Sequence, residues 1–112
     1  MKIAVVGSRE WKNTQRVWDF INGLDAETII VSGGARGVDA EAVNAAKTKG
    51  LGVIEFLADW RTFGKSAGYQ RNYDIVNAAD MLVAFWNGRS RGTKHSIDLA
   101  RAKGIEVKVL RE

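Results

Sequence analysis

Two glycine-rich segments of the chain contain residue types that bind phosphate in proteins. Residues 32–39 read SGGARGVD and residues 88–93 read GRSRGT, and an apolar run precedes each segment. Glycine lets backbone N–H groups approach an anion closely, and the N-terminus of a following helix adds partial positive charge. Arginine can bind phosphate through two parallel hydrogen bonds. Each segment alone is also typical of a simple turn, but the presence of two favours contact with a phosphorylated ligand.

The candidate ligand-binding residues lie in four segments at the ends of apolar runs, at positions 7–11, 32–39, 58–72 and 86–93. They are Gly7, Ser8, Arg9, Ser32, Gly33, Gly34, Arg36, Gly37, Asp39, Arg71, Asn72, Trp86, Gly88, Ser90, Gly92 and Thr93. We expect these residues to form one site for a nucleotide-type small molecule.

Different parts of this set are expected to contact different parts of the ligand. One phosphate-binding loop is expected to comprise Gly33, Gly34 and Gly37. A second is expected to comprise Ser90, Gly92 and Thr93. Arg36 and Arg71 would neutralise phosphate charge, while Ser8 and Arg9 would lie near the sugar or the base. Aromatic rings can stack on a base, and those in or beside the four segments are Trp11, Trp60, Tyr69 and Trp86.

Known nucleotide motifs and catalytic pairs are absent from these segments. Neither glycine-rich segment ends in the G-K-[ST] of a Walker A loop, and the first turn, residues 7–10, lacks the G-x-G-x-x-G fingerprint. The candidate catalytic residues are Glu10, Asp39 and Arg71. Neither carboxylate has an evident partner for paired acid–base chemistry, and Asp39 has three alternative roles: to orient Arg36, to cap a helix or to contact a ribose. The sequence leaves catalysis open.

The basic residues of the chain are concentrated in the same four segments. The chain of 112 residues has 17 lysines and arginines, 13 acidic residues and a net charge of +4. The four segments hold seven of the basic residues and three of the acidic ones. The rest of the chain therefore has equal numbers of basic and acidic residues. A positive excess at one predicted edge favours an anionic partner.

Residue types and run lengths exclude several other classes of protein. The chain has no cysteine and one histidine, which excludes disulfides, thiolate chemistry and a multi-histidine metal site. No metal or cofactor is predicted. No apolar run approaches the roughly 20 residues that span a bilayer, so we expect a cytoplasmic protein without a membrane partner.

Apolar, β-branched runs alternate with segments of helical periodicity. The strand-like runs are Ile3–Val6, Thr28–Val31, Val53–Leu57, Met81–Phe85 and Ile105–Leu110. The helical segments are Thr14–Leu24, Val38–Lys49, Ala67–Ala79 and Thr93–Lys103, with Thr93 as the first residue or cap of the last helix. This alternation predicts an α/β fold, a Rossmann-like three-layer domain with a five-stranded parallel sheet that spans residues 1–112. The four segments would then meet at the carboxyl edge of the sheet, where such folds bind ligands.

Four ordered motifs resemble the SLOG superfamily of Rossmann-like nucleotide-binding domains, and within it the small, stand-alone YspA-like family. The motifs are VVGSREW, VSGGARGVDAEA, ADWRTFGKSAGYQRN and LVAFWNGRSRGT. The resemblance implies a nucleotide-binding homo-oligomer of bacterial, plasmid or phage genomes. It also implies a phosphorylated ligand similar to NAD or ADP-ribose.

Two related families imply alternative functions. Lonely-guy proteins hydrolyse the N-glycosidic bond of nucleoside 5′-monophosphates, and their motifs are similar to Gly33-Gly34, Arg71 and Gly92-Thr93. Ser96 stands where those proteins have a catalytic glutamate. The core of the DNA-processing protein DprA binds single-stranded DNA, and its motifs are similar to SGGARGVD and to Arg71-Asn72. The alternatives to nucleotide binding are therefore nucleotide hydrolysis and single-stranded nucleic-acid binding.

Overall fold

Strands and helices alternate along the whole chain in the computed structural model, which describes residues 1–112. The strands are β1 (Lys2–Gly7), β2 (Ile29–Ser32), β3 (Gly52–Glu55), β4 (Met81–Trp86) and β5 (Glu106–Arg111). The helices are α1 (Thr14–Asn22), α2 (Val38–Lys49), α3 (Trp60–Phe63), α4 (Ala67–Ala78) and α5 (Arg91–Lys103), with a 3₁₀ turn at Gly64–Ser66. No helix combines the length and apolar composition needed to cross a bilayer.

All neighbouring strands of the single sheet are parallel, in the order β3-β2-β1-β4-β5. The chain proceeds to one side from β1 through β3 and then crosses to the other side of β1 for β4. The strand order therefore reverses between β1 and β4, whose carboxyl ends flank a crevice. The topology confirms the predicted fold class.

Both faces of the sheet are buried because its central strands are apolar at successive positions. In β1, Ile3 and Val5 join the hydrophobic cluster beneath α1 and α2, while Ala4 and Val6 join the cluster beneath α4 and α5. Successive side chains of a strand point to opposite faces, so this pattern packs helices on both sides. The result is the three-layer arrangement that positions helix N-termini at the carboxyl edge.

Glycine allows the first turns of the fold to pack backbone against backbone. A Cβ atom added to Gly7 would lie 2.5 Å from Cγ2 of Val38 and 2.7 Å from the carbonyl oxygen of Phe85. Gly37 has a φ of 84°, and a Cβ there would lie 2.8 Å from the carbonyl oxygen of Arg9. The start of α2 therefore packs directly against the end of β1 and brings two predicted site segments together.

The structure shifts most predicted element boundaries by one or two residues, and it corrects three of the predictions in ways that bear on the site. The third strand ends at Glu55 rather than Leu57, because its partner β2 ends at Ser32. Residues 60–66, expected to be loop, form α3 and the 3₁₀ turn. The prediction that Thr93 starts or caps the last helix was wrong: α5 begins at Arg91, and the Ser90 hydroxyl accepts the capping hydrogen bond from the Thr93 N–H at 3.4 Å.

The substitution Gly7→Ala should lower the free energy of unfolding by about 1–3 kcal/mol, because the added methyl group forces β1 and α2 apart. Urea unfolding measures this change. The control Gly92→Ala adds a methyl group where no atom lies within 4 Å and should not destabilise the protein. Equal stability of Gly7→Ala and the wild type would contradict the close packing described for Gly7.

Candidate functional site

A cleft of about 400 Å³ opens at the reversal point between β1 and β4. We call it the main cleft. The candidate residues that line it are Gly7, Ser8, Arg9, Glu10, Asp39, Arg71, Asn72, Ser90, Gly92 and Thr93. Its volume lies within the range of small-molecule sites, roughly 300–1,000 Å³.

Asp39 is a buried carboxylate beneath the SGGARGVD loop, with a residue exposure of 5%. Its Oδ2 accepts a hydrogen bond from the Ala35 N–H at 3.2 Å. Burial raises the pKa of Asp39 to about 6, although the Ala35 N–H and the nearby charge of Arg71 lower it. The Gly34 N–H donates to the Ser32 hydroxyl. Amide groups of the predicted phosphate loop are thus occupied by side chains of the same chain.

Arg71 extends from α4 across the turn that follows β2. Its Nη1 donates to the Gly33 carbonyl oxygen at 3.3 Å, and a Cβ on Gly33 would lie 2.8 Å from its Nε. Glycine at position 33 therefore makes room for the guanidinium. The Nε atom of Arg71 is buried and has no hydrogen-bond partner.

The loop before α5 is held by side-chain hydrogen bonds. Oδ1 of Asn87 accepts from the Arg89 and Ser90 N–H groups at 2.8 and 3.0 Å. The Arg91 and Gly92 N–H groups take part in none of the hydrogen bonds of the chain. Free N–H groups at a helix N-terminus attract anions, and the Arg89 side chain lines the same cleft.

Asn72 connects α4 to α5 on the floor of the main cleft. Its Nδ2 donates to the Gly92 carbonyl oxygen at 3.3 Å and lies 3.1 Å from Nδ1 of His95. Partial burial lowers the pKa of His95. Ser96 also lines the cleft, and its hydroxyl donates to the Gly92 carbonyl oxygen at 3.4 Å. Ser96, which the resemblance to lonely-guy proteins aligns with their catalytic glutamate, thus presents a hydroxyl to the cleft.

A second cavity of about 280 Å³ lies on the other side of the glycine turn. It contains the predicted residues Gly33, Gly34 and Arg36, which do not line the main cleft. The two cavities share Arg9, Ala35 and Arg71. The candidate residues are thus divided between two adjoining spaces.

Four candidate residues line neither cavity: Ser32, Gly37, Trp86 and Gly88. The Trp86 Nε1–H donates to the Ser90 carbonyl oxygen at 3.0 Å, and the Arg111 guanidinium lies 5.0 Å from the ring centroid of Trp86. A Cβ on Gly88 would lie 2.7 Å from Nη2 of Arg111. In this structure these contacts support the loop before α5.

Sequence reasoning omitted Asn87, Arg89 and Ser96 from the binding set, yet all three line the main cleft. Their place in the sequence, just after β4 or in the first half of α5, was the signal that could have identified them. No group of three or more histidine, aspartate or glutamate side chains lies close enough together to hold a metal ion.

Comparison with known proteins identifies the family. The model of the YspA, cpYpsA-related SLOG family matches residues 1–63. The Gene 61 protein of Mycobacterium phage D29 is 39% identical over 116 residues, covering 95% of this chain and 93% of the phage protein. The chain belongs to the YspA, cpYpsA-related SLOG family. This confirms the resemblance seen in the sequence motifs.

Two solved structures of DNA processing protein A, DprA, have the same fold as this chain. The Streptococcus pneumoniae protein has a TM-score of 0.85 and 25% identity, covering 96% of this chain and 49% of its own. The Helicobacter pylori protein, for which a single-stranded DNA binding mode is described, has a TM-score of 0.73 and 20% identity. That similarity covers 100% of this chain and 66% of the Helicobacter pylori chain. The present chain therefore spans about half the length of the first of these proteins.

Asp39 should make stability depend on pH. Its folded-state pKa of about 6 exceeds the ordinary value of 3.8, so the folded protein binds the proton more tightly than the unfolded chain. The resulting stabilisation is complete below about pH 4 and is lost as pH rises through about 6, an effect of about 3 kcal/mol. Urea unfolding of the wild type and Asp39→Asn across this range measures it. Identical pH dependence of the two proteins would contradict the buried carboxylate.

Proposed function

We propose that the protein binds a phosphorylated nucleotide in the main cleft. The observation that carries the proposal is a set of three cleft arginines, Arg9, Arg71 and Arg89, of which none forms a salt bridge. The cleft also holds the carboxyl groups of Glu10 and Asp39, so its arginines exceed its acidic residues by one. A phosphate group would supply the remaining negative charge. The free N–H groups at the start of α5 would add hydrogen bonds to the same phosphate.

The polar groups of the main cleft suit the sugar of a nucleotide. The Glu10 carboxylate lines the cleft and is exposed, so it can accept hydrogen bonds from ribose hydroxyls. Among the 16 residues that line the cleft, three are hydrophobic: Val6, Ala35 and Ile75. A ligand with sugar and phosphate groups, such as one similar to NAD or ADP-ribose, fits this lining better than an apolar molecule would.

Single-stranded nucleic acid is a second candidate ligand, favoured by exposed aromatic side chains beside a basic edge. Trp60, Phe63, Tyr69 and Tyr73 are exposed on α3 and α4. Stacking of bases on aromatic rings next to a positive groove is the usual way that proteins bind single strands without sequence preference. The DNA binding described for the Helicobacter pylori relative supports this candidate.

Replacing Arg89 by glutamine should weaken nucleotide binding roughly 10-fold, because one charge-assisted hydrogen bond to phosphate is lost. Isothermal titration calorimetry with adenosine 5′-monophosphate measures the affinity. Arg101→Gln, at the opposite end of α5, is the matched control and should bind like the wild type. Wild-type affinity of Arg89→Gln would place the phosphate outside the main cleft.

The same samples test nucleotide hydrolysis. Glu10 and Asp39 provide the carboxyl groups of the main cleft, so an N-glycosidic hydrolase would need one of them as its acid or base. Release of free adenine, measured by chromatography and abolished by Glu10→Gln or Asp39→Asn, would establish the enzyme. Recovery of intact nucleotide would leave binding as the function.

Binding of single-stranded DNA should weaken steeply with salt, because neutralised phosphates release counterions. Fluorescence anisotropy of a labelled oligodeoxythymidine, measured between low and moderate salt, gives the slope. Contact with Arg9, Arg71 and Arg89 predicts a slope of log affinity against log salt of about −2. Absence of binding at low salt would exclude this candidate.

A further inference from the structure

The second cavity combines positive charge with apolar surface. Arg9, Arg36 and Arg71 line it, and no acidic residue does. The Glu55 carboxylate is not part of the lining, although its Oε2 would lie 3.2 Å from a Cβ added to Gly34, and its Oε1 lies 4.0 Å from the Lys47 ammonium group. Such a lining suits a ligand with an anionic part and an apolar or aromatic part.

Two large apolar side chains line this cavity and are exposed to solvent. Trp60 is 56% exposed and Leu57 is 71% exposed, and both line the cavity. Leu57 lies over Gly34, since its Cδ2 would be 2.6 Å from a Cβ added there. A flat aromatic base would cover both side chains, because every base has an apolar face that stacks on tryptophan.

The position of Trp60 is determined by local structure rather than by the hydrophobic core. The Asp59 carboxylate caps α3 by accepting a hydrogen bond from the Thr62 N–H at 3.1 Å. Cη2 of Trp60 would lie 3.8 Å from a Cβ added to Gly68 in α4. The indole is thus supported on one side by α4 and lines the cavity with the remainder of its surface exposed.

The second cavity adjoins the main cleft. Arg9 and Arg71 line both spaces, so a phosphate beside these residues would be within reach of groups in either one. The buried Nε of Arg71, which lacks a partner, lies in the side chain that separates them. A ligand that crosses this boundary would place an anionic group where the arginines converge.

We propose that the second cavity is a base-binding subsite for a further nucleoside unit, joined through phosphate to the unit in the main cleft. The base of the further unit stacks on Trp60, and the linking phosphate lies beside Arg9 and Arg71. The inference rests on the proposed function and deepens it, since it assigns the ligand at least two nucleoside units. The linkage is a pyrophosphate in a dinucleotide or a phosphodiester in a nucleic-acid strand.

Three ligands test the subsite by calorimetry: adenosine 5′-monophosphate, NAD and a 5′-phosphorylated deoxyadenosine dinucleotide. Wild-type protein should bind NAD or the dinucleotide more tightly than the monophosphate, and the ligand that gains affinity identifies the linkage. Trp60→Leu should weaken the better two-unit ligand between about 5-fold and 150-fold, the range for one stacked base. It should leave the affinity for the monophosphate unchanged.

Two further variants separate stacking from general effects. Trp60→Phe keeps an aromatic face and should retain most of the affinity for the two-unit ligand. Arg101→Gln changes an exposed side chain in the last turn of α5 that lines neither cavity and should bind every ligand like the wild type. Unfolding midpoints of all variants should match, since α3 has no buried residue.

The outcomes distinguish this inference from the proposed function. If Arg89→Gln weakens the monophosphate while Trp60→Leu leaves both two-unit ligands unaffected, the subsite is wrong and the proposed function stands. Equal loss of the monophosphate and of the two-unit ligands in Trp60→Leu would also overturn the subsite. If none of the three ligands binds the wild type, the proposed function fails and the subsite fails with it.

Discussion

The contact between the Asp39 carboxylate and the loop after β2 is the constraint on which the site depends. The carboxylate is buried, so it must be compensated by hydrogen bonds and by charge, and the Ala35 N–H and the Arg71 guanidinium provide these. One side chain of α2 therefore shapes the turn after β2 and favours an arginine from α4 beside it. Both cavities take part of their walls from this arrangement.

Close backbone packing and unpaired charge then act together. Gly7 leaves room for the Val38 side chain, and Gly37 lets its turn pack against the backbone of Arg9, which brings Arg9 next to the Asp39 loop. Arg9, Arg71 and Arg89 form no salt bridge and outnumber the two carboxyl groups of the main cleft, so a net positive field extends into the cleft. The electrostatic potential is therefore positive at the carboxyl edge of the sheet.

The sequence predicted the sheet and the sheet edge that holds the candidate site, because both depend on patterns of residue type along many positions rather than on single contacts. Apolar runs buried on two faces indicate parallel strands, and an excess of arginine near strand ends indicates an anion site. It could not predict that the Asp39 carboxylate would accept a hydrogen bond from the Ala35 N–H, because that bond depends on the three-dimensional course of the loop. Likewise Ser90 rather than Thr93 caps α5, and α3, with four residues, is too short for helical periodicity to be seen.

The absence of buried residues in α3 has a consequence for divergence within the family. Substitutions in this helix remove nothing from the hydrophobic core, so they cost little stability, whereas changes at Gly7 or Asp39 disturb the packing of several elements. Selection can therefore alter the surface that Trp60 presents while the sheet and the main cleft stay the same. Relatives that share this scaffold can therefore differ at the exposed surface of α3 without loss of stability.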